Sequence, residues 1–186
     1  MRVASLLIAS LFALPASAER GPLPADGGDV VVATLQQYCF ANADEIGKLD
    51  EIVPKSDPGA LPVSEKDVAG LLAQSHRNEH GYVIERGNTL LWLTYANGRS
   101  CAISGMAMEP DAVRDAMDEQ LGGQEPHTFP FAGLEITTMR FGRGSKWNGA
   151  MAIFFVGRST QRPIAFRAAF VPASEVRRIV ADYNRR

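Results

Sequence analysis

Apolar residues along this chain alternate between helical and strand spacing, and each switch marks an element. Val31, Leu35, Tyr38 and Cys39 follow Asp29 at intervals that predict a first helix, with Asp29 as its N-cap and Cys39 on its inner face. Pro54, Pro58, Gly59 and Pro62 predict a loop after it. Ser64-Glu65-Lys66-Asp67 is a capping-box variant, in which a hydroxyl and a carboxylate three residues apart satisfy free amides reciprocally. Val68, Leu71, Leu72 and Ser75 continue a second helix, which Gly81 ends. Strands are expected at 82–85, 90–95 and 101–108, with Asn97-Gly98 as a two-residue hairpin turn, since both residues tolerate positive φ. Pro110 opens a third helix carrying Val113, Ala116, Met117 and Leu121 on one face, and Gly122-Gly123 stops it. Three more strands follow at 134–141, 150–156 and 164–171; in the last, Ile164, Phe166, Ala168 and Phe170 share a side. Pro172 and Ser174 introduce a final helix with Val176, Ile179, Val180 and Tyr183 expected inward.

The predicted order is ααβββαβββα. Meandering strands closed by helices favour an α+β fold, one antiparallel sheet of about six strands covered by helices. The N-terminus stands apart from this domain. Arg2, the apolar run 3–14 and the small residues Ala16-Ser17-Ala18 have the build of a secretory signal peptide cut near Ala18, too short and wrongly flanked for a membrane anchor. Residues 19–28, rich in Pro and Gly, read as a flexible lead-in, and 29–186 as a single α+β domain. The expected location is therefore periplasmic or secreted, with no transmembrane segment in the mature chain.

Composition adds bounds. Of 186 residues, 46% are hydrophobic and 22% charged, the profile of a globular chain long enough to bury roughly 70% of its unfolded surface. The near-neutral net charge conceals an asymmetry. Residues 19–138 carry 8 Lys/Arg against 19 Asp/Glu, whereas residues 139–186 carry 10 against 2. Such a basic tail suits an anionic partner, unless the two halves neutralise each other.

In an exported chain the two cysteines, Cys39 and Cys101, are expected to pair. One lies on the first helix and the other on a central strand, so the bridge would tie helix to sheet. A redox role is not indicated, because Cys-x-x-Cys spacing is absent. His76-Arg77-Asn78-Glu79-His80 spells H-x-x-E-H, the ligand pattern of inverted zinc peptidases. That chemistry needs both imidazoles one turn apart inside a rigid helix. Here the motif falls on the last turn before Gly81, where histidines can instead bond terminal carbonyls. His76 and His80 remain metal candidates only in that reduced sense, and no cofactor is expected. His127 lies in a Pro-bounded loop without a nucleophile, and Ser104 lacks a nucleophile-elbow frame. Arg140, Arg143, Lys146, Arg158 and Arg162 gather around a hairpin with Gly142, Gly144 and Trp147. Glycines let backbone amides approach an anion, and arginine holds phosphate or carboxylate bidentately. These five are the possible anion-binding residues; nucleic acid is excluded as a partner by compartment.

Together with the export signal and the helical cysteine, Gly98-Arg99-Ser100-Cys101 before an apolar strand resembles small uncharacterised exported proteobacterial proteins, some of them lipoproteins. The resemblance spans most of the mature chain and implies no catalytic residues. This chain departs from the lipoprotein members by lacking an anchoring cysteine at the cleavage point. The expected function is a non-enzymatic binding or envelope-associated domain, contacting a periplasmic protein or an anionic envelope component. The competing expectation is a periplasmic hydrolase with a spatially assembled site, with or without a metal.

Overall fold

The computed structural model describes residues 27–64, 79–96, 99–105, 108–131, 134–157 and 166–185. Helix α1, Gly27–Leu35, runs directly into a π-helical turn, Gln36–Phe40, closed by Ala41 N–H donating to Gln36 O at 2.9 Å. The wider turn lets Tyr38, Cys39 and Phe40 all be buried in succession. Gly27 and Gly28 are already helical and buried, so α1 begins ahead of the expected Asp29 cap. The reason is packing: a Cβ on Gly28 would collide with the backbone carbonyl of Ala112.

The expected loop around Pro54 is instead a 3₁₀ turn, Ile46–Lys48, leading into α2, Leu49–Ser56, with Pro54 inside it. Proline there removes one backbone bond, but burial of Ile46, Leu49 and Val53 overrides that local cost. After β1 (Leu61–Val63) the second predicted helix falls mostly on residues 65–78, outside the described residues. Its expected end does not hold, because Glu79 and His80 already belong to a strand, β2 (Glu79–Arg86).

Strands β3 (Thr89–Ala96) and β4 (Ser100–Gly105) continue the meander. Asn97 and Gly98 lie outside the described residues; Ala96 pairs with Ser100, which makes the connection three residues, 97–99, not two. Helix α3, Pro110–Leu121, matches the sequence reading and ends at Gly122, whose φ of 59° suits only an unhindered residue. Then come β5 (Gln124–Phe131), β6 (Leu134–Arg140), β7 (Met151–Gly157), β8 (Phe166–Val171) and α4 (Ala173–Tyr183).

The fold is α+β with one antiparallel sheet of eight strands, ordered β1-β2-β3-β4-β8-β7-β6-β5, rather than six. The two strands missed by sequence, β1 and β5, are its two edges. Both contain proline, in Pro62 of β1 and Pro126 and Pro130 of β5, and proline is tolerated where an outward N–H has no neighbour to bond. His127 accordingly sits on an edge strand, opposite Thr138, not in a loop.

Register assigns the two faces. Tyr82, Leu93, Ile103, Ala168 and Phe154 follow one another across five strands on one side, and these side chains form a single core with α1, α2 and α3. Phe166, Ala168 and Phe170 share that side, as expected, whereas Ile164 lies outside the described residues. The disulfide Cys39–Cys101 joins the π turn to β4 with both cysteines wholly buried. No helix among the described residues is long and apolar enough to cross a membrane.

Candidate functional site

The connection between β6 and β7, residues 141–150, is a run of tight turns. Ser145 N–H donates to Gly142 O at 3.2 Å, Asn148 N–H to Ser145 O at 3.1 Å and Ala150 N–H to Trp147 O at 2.9 Å. The Ser145 hydroxyl also accepts from Trp147 N–H at 3.1 Å. Gly142 lies against the Gln124 side-chain amide, into which a Cβ there would point. Gly144 and Gly149 adopt φ of 96° and 81°, which L side chains resist.

Aromatic packing fastens this loop to the core. Phe40, from the end of the π turn, lies edge-on to Phe141 at 5.5 Å and to Trp147 at 4.5 Å, and packs on Phe170 at 4.4 Å. The result is a rigid base carrying an exposed basic rim. Arg140 projects from the end of β6, Arg143 from the turn, and Lys146 lies over the Trp147 ring with Nζ 4.4 Å from its centroid. The structure thus brings together three of the five expected anion-binding residues. Arg158 and Arg162 lie outside the described residues. Gly157, the last described residue before them, is at the far end of β7, about 20 Å of strand away from the loop.

The first turn of α4 abuts the same loop. A Cβ on Gly149 would touch the Ala173 side chain at 3.4 Å, and the charge of Arg99, from the β3–β4 connection, acts on Glu175. One end of the sheet therefore gathers Arg99, Arg140, Arg143, Lys146 and the arginines of α4.

A second cluster was not legible in the sequence. Asp50, in the first turn of α2, accepts hydrogen bonds through Oδ1 from the hydroxyls of Tyr95 and, at 3.3 Å, Tyr82. Its Oδ2 lies 3.2 Å from His80 Nδ1, and the His80 ring stacks on Tyr95 at 5.7 Å. Burial, reinforced by the Asp50 carboxylate, pushes both tyrosine hydroxyls above their ordinary titration range. His80 Nδ1 faces this carboxylate, and 44% of the His80 side chain is exposed. No spacing rule finds this set, because its members are 30 and 45 residues apart and meet only when β2 and β3 pair. A third polar group, Tyr38, Asp57 and Arg86, links the π turn, the end of α2 and β2, with Arg86 Nη1 at 2.5 Å from Asp57 Oδ2. It borders an open depression of about 360 Å³ lined by Val30, Thr34 and Gln37, which offers a ligand no unsatisfied charge.

H-x-x-E-H does not form a helical metal site. His80 is on strand β2 and turned to Asp50, while His76 is outside the described residues. Among the described residues no three His, Cys, Asp or Glu side chains converge on a metal-binding point. Comparison with protein-family models, curated proteins and solved structures finds no match for this chain.

Proposed function

We propose that this chain is an exported, periplasmic or secreted domain that binds an anionic component of the cell envelope without catalysis. The observation carrying the reading is the basic rim of Arg140, Arg143 and Lys146, mounted on a loop that Phe141 and Trp147 lock to the core. Exposed cations on a pre-ordered backbone lose little freedom on binding, which separates this loop from a mobile basic tail. The N-terminal segment supports export, and the buried disulfide is at home in an oxidising compartment. The likeness to small exported proteobacterial proteins points the same way. The test is retention of envelope components on the immobilised oxidised protein, with Arg140→Glu, Arg143→Glu and Lys146→Glu combined as control. Anionic components should be retained by the native chain and released by the triple variant; equal retention by both removes the rim from the reading.

The Asp50–His80 pair favours a second reading, hydrolysis by a spatially assembled site. A carboxylate that orients the Nδ1 proton of a half-exposed histidine is the acid–base half of many nucleophilic sites. Turnover of generic ester, peptide or glycoside substrates, with or without zinc, that is abolished by His80→Ala would put this reading first.

A further inference from the structure

We infer that α4 is an interfacial helix, and that the anionic component this domain meets is the surface of a lipid bilayer. The inference rests on the binding reading above and names its partner. Val176, Ile179, Val180 and Tyr183 recur at helical spacing on one face of α4, yet Ile179, Val180 and Tyr183 are 50%, 53% and 80% exposed. No other described helix leaves so much of its apolar stripe in water.

Charge says what covers it. The two acidic residues of α4 are both neutralised: Glu175 by Arg178 at 2.5 Å, and Asp182 by Arg178 at 2.9 Å and Arg185 at 3.7 Å. Arg177 is exposed beside the stripe, and the helix begins against the loop of Arg140, Arg143 and Lys146. A second copy docked through the same face would oppose these basic groups to one another, a like-charge arrangement that costs affinity. An anionic bilayer instead takes Ile179 and Val180 into its acyl boundary, Tyr183 at headgroup level and the cations among the phosphates. An acidic protein with an apolar groove is the competing occupant, and failure to float with anionic vesicles would favour it.

The test is flotation of the exported, oxidised protein with vesicles of phosphatidylcholine alone and of phosphatidylcholine mixed with phosphatidylglycerol. Binding is expected only to the anionic vesicles and should fall steeply with salt. Arg143→Gln with Lys146→Gln, which remove two positive charges, should weaken it about 25-fold, at roughly five-fold per charge. Ile179→Asp with Val180→Asp should weaken it at least about ten-fold. Both aliphatic positions are exposed, so circular dichroism of the double variant should match the native protein. Loss of binding in the loop variant but not in the α4 variant overturns the interfacial helix and leaves anion binding standing. A protein that floats with neither vesicle, or a dimer that Ile179→Asp dissociates, overturns it as well; in those cases retention of a non-lipid envelope component still supports the broader reading.

Discussion

Strands β4 and β8 lie side by side at the middle of the sheet, and each leads through a proline into a helix. The two helices have the same amphipathic pattern and opposite surroundings. On α3, Val113, Met117 and Leu121 are buried, and α1 is laid along it. On α4 the equivalent stripe of Ile179, Val180 and Tyr183 stands in solvent, although the pattern alone predicts an inward face. The difference is the presence of a third layer. The π turn that continues α1 is fastened to β4 by Cys39–Cys101, and α1 closes over α3, with Gly28 allowing its backbone to reach the Ala112 carbonyl. Among the described residues nothing comparable closes over α4. Identical periodicity therefore records that a face is to be covered, but not whether the cover comes from the same chain.

The largest way to disturb this contrast is to cut the clamp. Cys39 and Cys101 are 62 residues apart, so replacing both by alanine should cost about 4 kcal/mol in the chain-entropy model, read as a lower urea midpoint. Hydrogen exchange should then rise in α1 and α3 while α4 keeps its native rate. Equal loss in α4 would mean the two helices depend on one layer after all. Next in size is Met117→Ala, which empties a wholly buried site on α3 and should cost about 3 kcal/mol, against less than about 0.5 kcal/mol for Ile179→Ala on α4. Comparable costs would show that the α4 face is packed in solution.

Gly28→Ala tests the same contact from the other side. In an open helix this change stabilises by about 1 kcal/mol, because alanine restricts the unfolded chain. Here the new methyl meets the backbone of α3, which cannot rotate aside, so the sign should reverse to a loss of about 1–3 kcal/mol in thermal unfolding.

What the sequence disclosed follows the same physics. Helices with strong periods, the central strands and the cysteine pair were legible, because each is set by spacing on its own element. The edge strands were not, since Pro62, Pro126 and Pro130 read locally as breakers and only an open sheet edge makes them acceptable. α2 was hidden by Pro54 for a related reason: burial of Leu49 and Val53 outweighed propensity, and burial is not a local property. Of the candidate site, the basic loop was visible as composition, whereas its anchoring by Phe40 depends on a residue a hundred positions away. As a set, Asp50, Tyr82, Tyr95 and His80 were invisible, and His80 was legible only in another motif, because ordinary residues carry no signal until the register of β2 and β3 brings them together.

The smallest effect separates the helices by pH. Hydrogen bonds from Arg178 hold the Glu175 carboxyl below the usual glutamate range, so the folded state favours its charged form. That contribution is complete above the unfolded value of about 4.3 and disappears as pH falls through the lower folded value. Asp118 on α3 is shifted the other way: burial raises its carboxyl above the ordinary aspartate value, so the charged form is disfavoured by folding. Its unfavourable contribution is absent below the unfolded value of about 3.9, sets in as pH rises through it and is complete above the raised folded value. Acidification should therefore loosen α4 while relieving α3. Arg178 is half exposed, so solvent screening keeps the α4 effect small. Carboxyl carbon shifts followed by NMR should place the Glu175 midpoint below, and the Asp118 midpoint above, those of exposed residues of the same type. Glu175→Gln should abolish the acid-induced rise in α4 exchange and leave α3 untouched. Midpoints moving in the same direction would show that both helices are held by a single electrostatic environment rather than by different layers.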